Sequence, residues 1–438
     1  MLAEHLIQHI QTTDPVRRTG RVRGIFATHI EADGPNVPLG TICAVEAVGG
    51  GSDSFEAEVI RITRDSVILS PLEEVRPSFA GASVVARSHA SQAWVGDAFR
   101  GRMIDPLGRP IDGGAAILGE RMRPLQGEIT APLDRASPKI VVETGIRAVD
   151  GLLTIGQGQR IGIFAAAGVG KTSLMTQIAC QTACDVAVIC LVGERGREVE
   201  AFWAEGLSPE ARARTTMVVA TSDQPAALRV RAGDYALALA EGWREQGAHV
   251  LLVIDSATRL AMALREIGLA AGEPPTVRAY TPGVFAAIPR IVERCGALAS
   301  GGAITAVMTV LSETDDIDDP VCEMMKSLLD GHILLSRSLA EQGHFPAIDV
   351  PRSISRQATG LVEVKQKAEA RKVLEWLSVH ASAKTLIDAG LHSKGSNPVL
   401  DQAIERYPDI RNFLQQDRGE RAAFDQTLAA LTRLARVA

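Results

Sequence analysis

Ile161-Gly162-Ile163-Phe164-Ala165-Ala166-Ala167-Gly168-Val169-Gly170-Lys171-Thr172-Ser173-Leu174-Met175 is the stretch on which the fold turns. An apolar run enters a loop of small residues, which passes straight into a helical pattern, and that is the context of a phosphate-binding P-loop. Gly168 and Gly170 let the backbone turn so that successive amides point inward as an anion nest, and the following helix adds the positive end of its dipole. Lys171 then reaches the β- and γ-phosphates of a nucleoside triphosphate, and the Thr172 hydroxyl is placed to ligate Mg²⁺. The candidate nucleotide contacts are Ala166, Ala167, Gly168, Val169, Gly170, Lys171, Thr172 and Ser173. The first loop position is Ala165 where the strict pattern has glycine, a departure of one methyl.

Two carboxylates stand at the ends of neighbouring apolar runs. His249-Val250-Leu251-Leu252-Val253-Ile254-Asp255-Ser256 ends in an acid that can hold Mg²⁺ or its water shell beside the P-loop. Its bland reading is a helix cap. The run ending at Val192 leads into Gly193-Glu194-Arg195-Gly196-Arg197-Glu198, where Glu194 is placed to polarise an attacking water. By position alone Glu194 reads equally well as an acid in the first turn of a helix.

Working outward, continuous apolar runs at 161–165, 186–192, 216–220, 250–254, 303–311 and 332–335 suit strands buried on both faces, and helical patterns at 171–183, 225–245 and 284–299 lie between them. Repeated βα units argue a parallel sheet covered on both sides. The fold class is therefore α/β, with a P-loop core. Residues 19–90 change to period two with turn signals, as in a small β-barrel, and 91–145 read as an irregular connector leading into a nucleotide-binding domain that extends to 359. Residues 360–438 turn helical; Asn397-Pro398 is a start signal, and Phe424, Leu428, Leu431 and Ala435 share one face of a last helix. Residues 1–18 hold a short amphipathic helix, with Leu2, Leu6 and Ile10 at spacings of four.

Composition narrows the function classes. The 438 residues carry 46 Lys and Arg against 52 Asp and Glu, a net charge of −6, so the chain as a whole has no general attraction for nucleic acid or anionic lipid. Six scattered cysteines do not make a disulfide framework; Cys180 and Cys184 are four apart, as if on one helix face, and read as ordinary buried thiols. No signal peptide and no membrane-length apolar run is evident, which points to the cytoplasm. The acidic run Glu313 to Pro320 reads as a solvated loop; it lacks the glycine and the spacing of a calcium loop.

Four further stretches carry a family resemblance: Gly193 to Val199, Asp255-Ser256-Ala257-Thr258-Arg259, Arg265 to Pro275, and Phe345-Pro346-Ala347-Ile348-Asp349-Val350 through Ser353-Ile354-Ser355-Arg356. With these the chain resembles the export ATPases of type III secretion, a group that includes the flagellum-specific ATPase and is similar to the catalytic subunit of rotary ATP synthases. Gly272-Glu273-Pro274-Pro275 and Phe413-Leu414-Gln415-Gln416 lean toward the flagellar branch. The resemblance implies a RecA-like core, ATP and Mg²⁺ as ligands, and Glu194 as the carboxylate that activates water. It implies Asp255 as the metal-side acid, Arg259 near the γ-phosphate, and Arg195 as an arginine that orients Glu194 or contacts phosphate. Phe345 is then the aromatic stacked on the base, and Arg356 a finger supplied by the neighbouring subunit of a hexameric ring. The implied partners are a stator-like regulator at the N-terminal helix, a central coiled-coil stalk protein, export substrates and their chaperones, with no nucleic acid, and the implied place is peripheral at the inner-membrane export apparatus. Two departures accompany this: Ala166-Ala167 replace a common Gly-Ser, and Cys190 and Cys295 sit in core segments. A synthase subunit, a hexameric nucleic-acid translocase and a nucleotide-gated scaffold share the core motifs and remain alternatives.

Overall fold

The strands form where β-branched and apolar residues run without interruption, and the helices where such residues recur every three or four positions. The computed structural model describes residues 16–48, 54–87, 92–128, 130–311 and 319–436. The amphipathic segment expected at the N-terminus lies outside them.

Six strands, β1 (Thr19–Ile25), β2 (Ile30–Ala32), β3 (Ile42–Glu46), β4 (Ser54–Ile62), β5 (Val67–Pro71) and β6 (Ser83–Ala86), close into a barrel in the order β1-β2-β5-β4-β3-β6. Pairing of Thr19 with Val85 seals it, and Val22, Phe55, Val59 and Leu69 fill the interior. The connector is more ordered than its proline and glycine content suggests. Gln92–Val95 and Arg121–Pro124 form a ribbon, and β7 (Met103–Ile104) joins the edge of the main sheet.

The core then builds in chain order as α1 (Arg147–Leu152), β8 (Arg160–Ala165), α2 (Lys171–Gln181), β9 (Val186–Glu194), α3 (Gly196–Ala201), β10 (Thr215–Thr221), α4 (Ala226–Arg244), β11 (His249–Asp255), α5 (Ala257–Ala270), α6 (Pro282–Glu293), β12 (Ala303–Leu311), α7 (Pro320–Leu328), β13 (Gly331–Leu334) and β14 (Ile354–Ser355). The sheet runs β14-β13-β8-β12-β11-β9-β10-β7, parallel except for β14. The P-loop strand β8 lies between β12 and β13. Alternate residues of β9 face opposite cores: Val186, Val188, Cys190 and Val192 pack under α4, while Ala187, Ile189 and Leu191 pack with Leu174, Ile178 and the C-terminal helices. Those helices are α8 (Val364–Asp388), α9 (Pro398–Leu414) and α10 (Phe424–Ala435). Asn397 caps α9 through Oδ1, which accepts the Val399 and Leu400 amides at 3.2 Å.

Three readings of the sequence are revised. The helix expected over 284–299 stops at Glu293, because Gly296 takes φ +121° and Gly296–Leu298 turns back as an antiparallel strand on β12. Cys184 lies beyond the end of α2 and shares no helix face with Cys180, whose thiol donates to the Gly206 carbonyl at 3.3 Å. Of the acidic run, residues 313–318 lie outside the described residues, whereas Asp319 caps α7 by accepting the Val321 amide at 2.8 Å.

Under α4 the buried Arg294 bonds Glu241 at 2.8 Å and Asp234 at 3.0 Å. Removing the cation takes the near partner from both carboxylates, leaving Glu241 with Arg123 at 3.6 Å, and burial already pushes Asp234 up to about 6. Arg294→Ala is therefore expected to cost about 3–5 kcal/mol in urea unfolding. A loss below about 1 kcal/mol would show that solvent reaches this cluster.

Candidate functional site

The strand β8 ends at Ala165, and the loop behind it places positive φ only at Gly168 (+80°) and Gly170 (+91°). Ala166 and Ala167 therefore need no left-handed backbone, and replacing a common Gly-Ser costs the nest nothing in conformation. No side chain caps α2, so its first-turn N–H groups face the loop as donors. The side chains of Thr172 and Ser173 are exposed at that turn.

Behind the loop four charges interlock. Lys171 Nζ donates to Asp255 Oδ1 at 2.5 Å and to Glu194 Oε1 at 3.2 Å. Arg259 Nη1 pairs with Glu194 Oε2 at 3.1 Å and also donates to the Gly193 carbonyl. Glu194 and Asp255 are 5% and 3% exposed, so their charges act across little solvent. Burial alone pushes the Glu194 carboxyl up, but a hydrogen bond with Glu198 and the charges of Lys171 and Arg259 outweigh it and hold it below the usual range. Glu198 moves the other way, raised first by that same bond. Gly193 is required at its position: its φ is +71°, and a Cβ there would meet Arg259 Cδ at 3.0 Å.

The local structure removes the capping alternative for both acids. Glu194 is the last residue of β9 and precedes Arg195, the N-cap of α3, so Glu198 and not Glu194 is the first-turn acid. Asp255 is no cap either; Ser256 Oγ takes that role by accepting the Arg259 amide at 3.2 Å. Asp255 instead accepts the Thr309 hydroxyl at 2.5 Å.

Phe345 is 46% exposed and is not a core aromatic. Its ring lies 3.4 Å from where a Gly170 Cβ would stand, so it forms a wall beside the P-loop. With Ser173, Gln177 and the segment Gln415–Glu420 it lines a cavity of about 570 Å³, ample for a purine.

Two expected residues are not brought to this cluster. The Arg195 side chain is 66% exposed and pairs with Glu198 at 3.7 Å, leaving Arg259 as the arginine on Glu194. Arg356 hangs at the far end of β8. Its amide donates to the Asp330 carbonyl at 2.9 Å and its guanidinium to the Lys326 carbonyl at 3.1 Å, while Asp330 pairs with Arg160, the first residue of β8, at 2.9 Å. The P-loop follows the last residue of that strand, about 17 Å away at strand rise. Arg356 therefore does not serve the P-loop of its own chain.

Sequence reasoning missed Thr309, Glu198 as the partner of Glu194, and the Gln415–Glu420 wall. Thr309 carries one weak signal, a hydroxyl late in an apolar strand that also holds Thr305. The wall has none, since its contacts with Arg147 span more than 260 residues.

Among the described residues no group of three His, Cys, Asp or Glu that could hold a metal ion occurs, and no helix is long and apolar enough to cross a membrane. Mg²⁺ needs no such group, because it is commonly held by one or two protein oxygens with water and phosphate. The exposed Thr172 hydroxyl and the Asp255 carboxylate fit that donor set.

The model of the ATP synthase alpha/beta family nucleotide-binding domain matches residues 145–355, and that of the type III secretion EscN ATPase C-terminal domain matches 362–433. The chain is 42% identical over 436 residues to the flagellum-specific ATP synthase of Bacillus subtilis, covering 99% of each. It superposes on the assembled ATPase EscN of the enteropathogenic E. coli type III secretion system with a TM-score of 0.90 at 38% identity, covering 95% of this chain and 100% of that one. EscN in complex with its central stalk EscO gives 0.87 at 38% identity over the same coverage.

Proposed function

Because the chain belongs to the family of flagellar and type III secretion ATPases, we propose that it hydrolyses ATP at sites shared between neighbouring copies of itself in a hexameric ring, and that this assists protein export. The observation that supports the shared site is the placement of Arg356 at one end of β8 and Lys171 beyond the other. Each chain then offers a P-loop on one flank and a finger on the next.

In this reading the triphosphate lies on the loop amides and the base stacks on Phe345. Lys171 exchanges its carboxylate partners for the β- and γ-phosphates. Thr172 and Asp255 would hold Mg²⁺, which when bound neutralises phosphate charge. Glu194, still paired with Arg259, orients a water and accepts its proton as the water attacks in line with the leaving oxygen. Arg259 fixes the carboxylate, and the neighbour's Arg356 meets the charge that builds on the transferred phosphoryl group. Arg195 contributes through Glu198 on this geometry.

The proposed setting is the cytoplasmic face of an inner-membrane export apparatus. EscN binds a central stalk, and by analogy this chain takes a coiled-coil stalk in the ring's pore. The N-terminal segment would dock a stator-like regulator, and export substrates with their chaperones would arrive at the ring. The stretches at Gly272–Pro275 and Phe413–Gln416 support the flagellar branch.

Steady-state ATPase activity against protein concentration tests the shared site. Specific activity is expected to rise at least tenfold from dilute to assembled protein, tracking mass measured by light scattering. Flat specific activity across a range where the mass is that of one chain would overturn it.

A further inference from the structure

Arg147, at the start of α1, spends its hydrogen-bonding capacity on one distant segment. Its amide donates to Gln416 Oε1 at 2.9 Å and its Nε to the Phe413 carbonyl at 2.9 Å. Its terminal nitrogens donate to the Gln415 carbonyl and pair with Glu420. Gln416 completes the clasp: its side-chain amide donates to the carbonyls of Gly145 at 2.7 Å and Glu420 at 2.8 Å, and its backbone N–H donates to the Phe345 carbonyl at 2.9 Å. The clasped segment lines the same cavity as Phe345.

We propose that Arg147 is a positioning residue for nucleotide affinity, holding the C-terminal segment Phe413–Glu420 as the second wall of the base site. This rests on the reading that the base occupies the cavity at Phe345. None of the clasp contacts reaches Lys171, Glu194 or Asp255, so the clasp acts on binding and leaves the chemical step alone. A guanidinium is suited to the task because its planar fork serves several carbonyls and a carboxylate at once, which an ammonium does not. Binding at the P-loop is thereby tied to the docking of the C-terminal helices, since Phe413 closes the end of α9.

The test compares ATP hydrolysis by wild type, Arg147→Ala, Arg147→Lys, Glu420→Gln and Phe345→Ala, with inorganic tripolyphosphate as a competitor that has no base. Arg147→Ala is expected to raise KM for ATP about tenfold, with kcat within about twofold and the inhibition constant of tripolyphosphate unchanged. Arg147→Lys should remain close to the alanine variant, because a lysine cannot reproduce the fork. Glu420→Gln, which keeps the carbonyl contacts, is expected to give a rise of about threefold and carries the test if Arg147→Ala does not fold. An equal rise for ATP and tripolyphosphate, or a fall in kcat with KM unchanged, would overturn the proposal. If Phe345→Ala also leaves KM unchanged, the base lies elsewhere and the underlying reading fails with it; if Phe345→Ala raises KM while the Arg147 and Glu420 variants do not, only the clasp is wrong.

Discussion

Arg356→Ala is expected to lower kcat of the assembled enzyme by about 10³-fold or more while changing KM for ATP only a few-fold, the scale on which arginine fingers act. The reason is geometric. Arg356 is anchored to Asp330 and Lys326 at the start of β8, so under the proposed reading the charge it supplies goes to another chain's phosphates. The decisive measurement is mixing. Arg356→Ala chains keep an intact Glu194, and Glu194→Gln chains keep an intact Arg356, so random co-assembly rebuilds about a quarter of the interfaces in full. Two inactive preparations are thus expected to recover about a quarter of wild-type activity when combined. No recovery in mixtures shown to co-assemble would mean that the two residues do not meet across an interface.

Glu194→Gln is expected to reduce kcat by about 10² to 10⁴, the usual range for losing a positioned general base. The substitution is nearly isosteric, and Lys171 keeps its contact with Asp255, so the P-loop should persist. Nucleotide binding is expected to survive and to tighten modestly, because one of the two carboxylates that compete with phosphate for the ammonium has lost its charge. A fluorescent ADP titration beside single-turnover hydrolysis separates the two effects. Activity within tenfold of wild type would remove Glu194 from the role of base, and loss of binding would show that its part is structural.

The legible parts of this molecule are those governed by local rules. The alternation of buried strands and amphipathic helices from β8 to β13 follows from unbroken apolar runs, and the P-loop from residues that sit side by side in sequence. Asn397 before Pro398 announced its own helix cap. The connector was harder, because β7 is only two residues long and owes its pairing to β10, more than a hundred residues away. The capping readings of Glu194 and Asp255 fell away only when the neighbouring caps, Arg195 and Ser256, were located. Arg195 illustrates the converse: its place next to the carboxylate in sequence turns its side chain outward, while Arg259 reaches Glu194 from α5. The wall at Gln415–Glu420 depends on where the C-terminal helices dock, and no pattern within that segment encodes the docking.

Lys171, Arg259, Glu194 and Asp255 carry two positive and two negative charges, so the innermost cluster is electrically neutral as it stands. An incoming polyphosphate meets the loop amides but no net charge in this cluster, and it gains the ammonium's attraction only as the lysine lets go of its acids. Capture is in this sense a swap of counterions within a balanced set. ATP that arrives already paired with a divalent cation disturbs that balance least, whereas the bare tetra-anion has to unmake it alone.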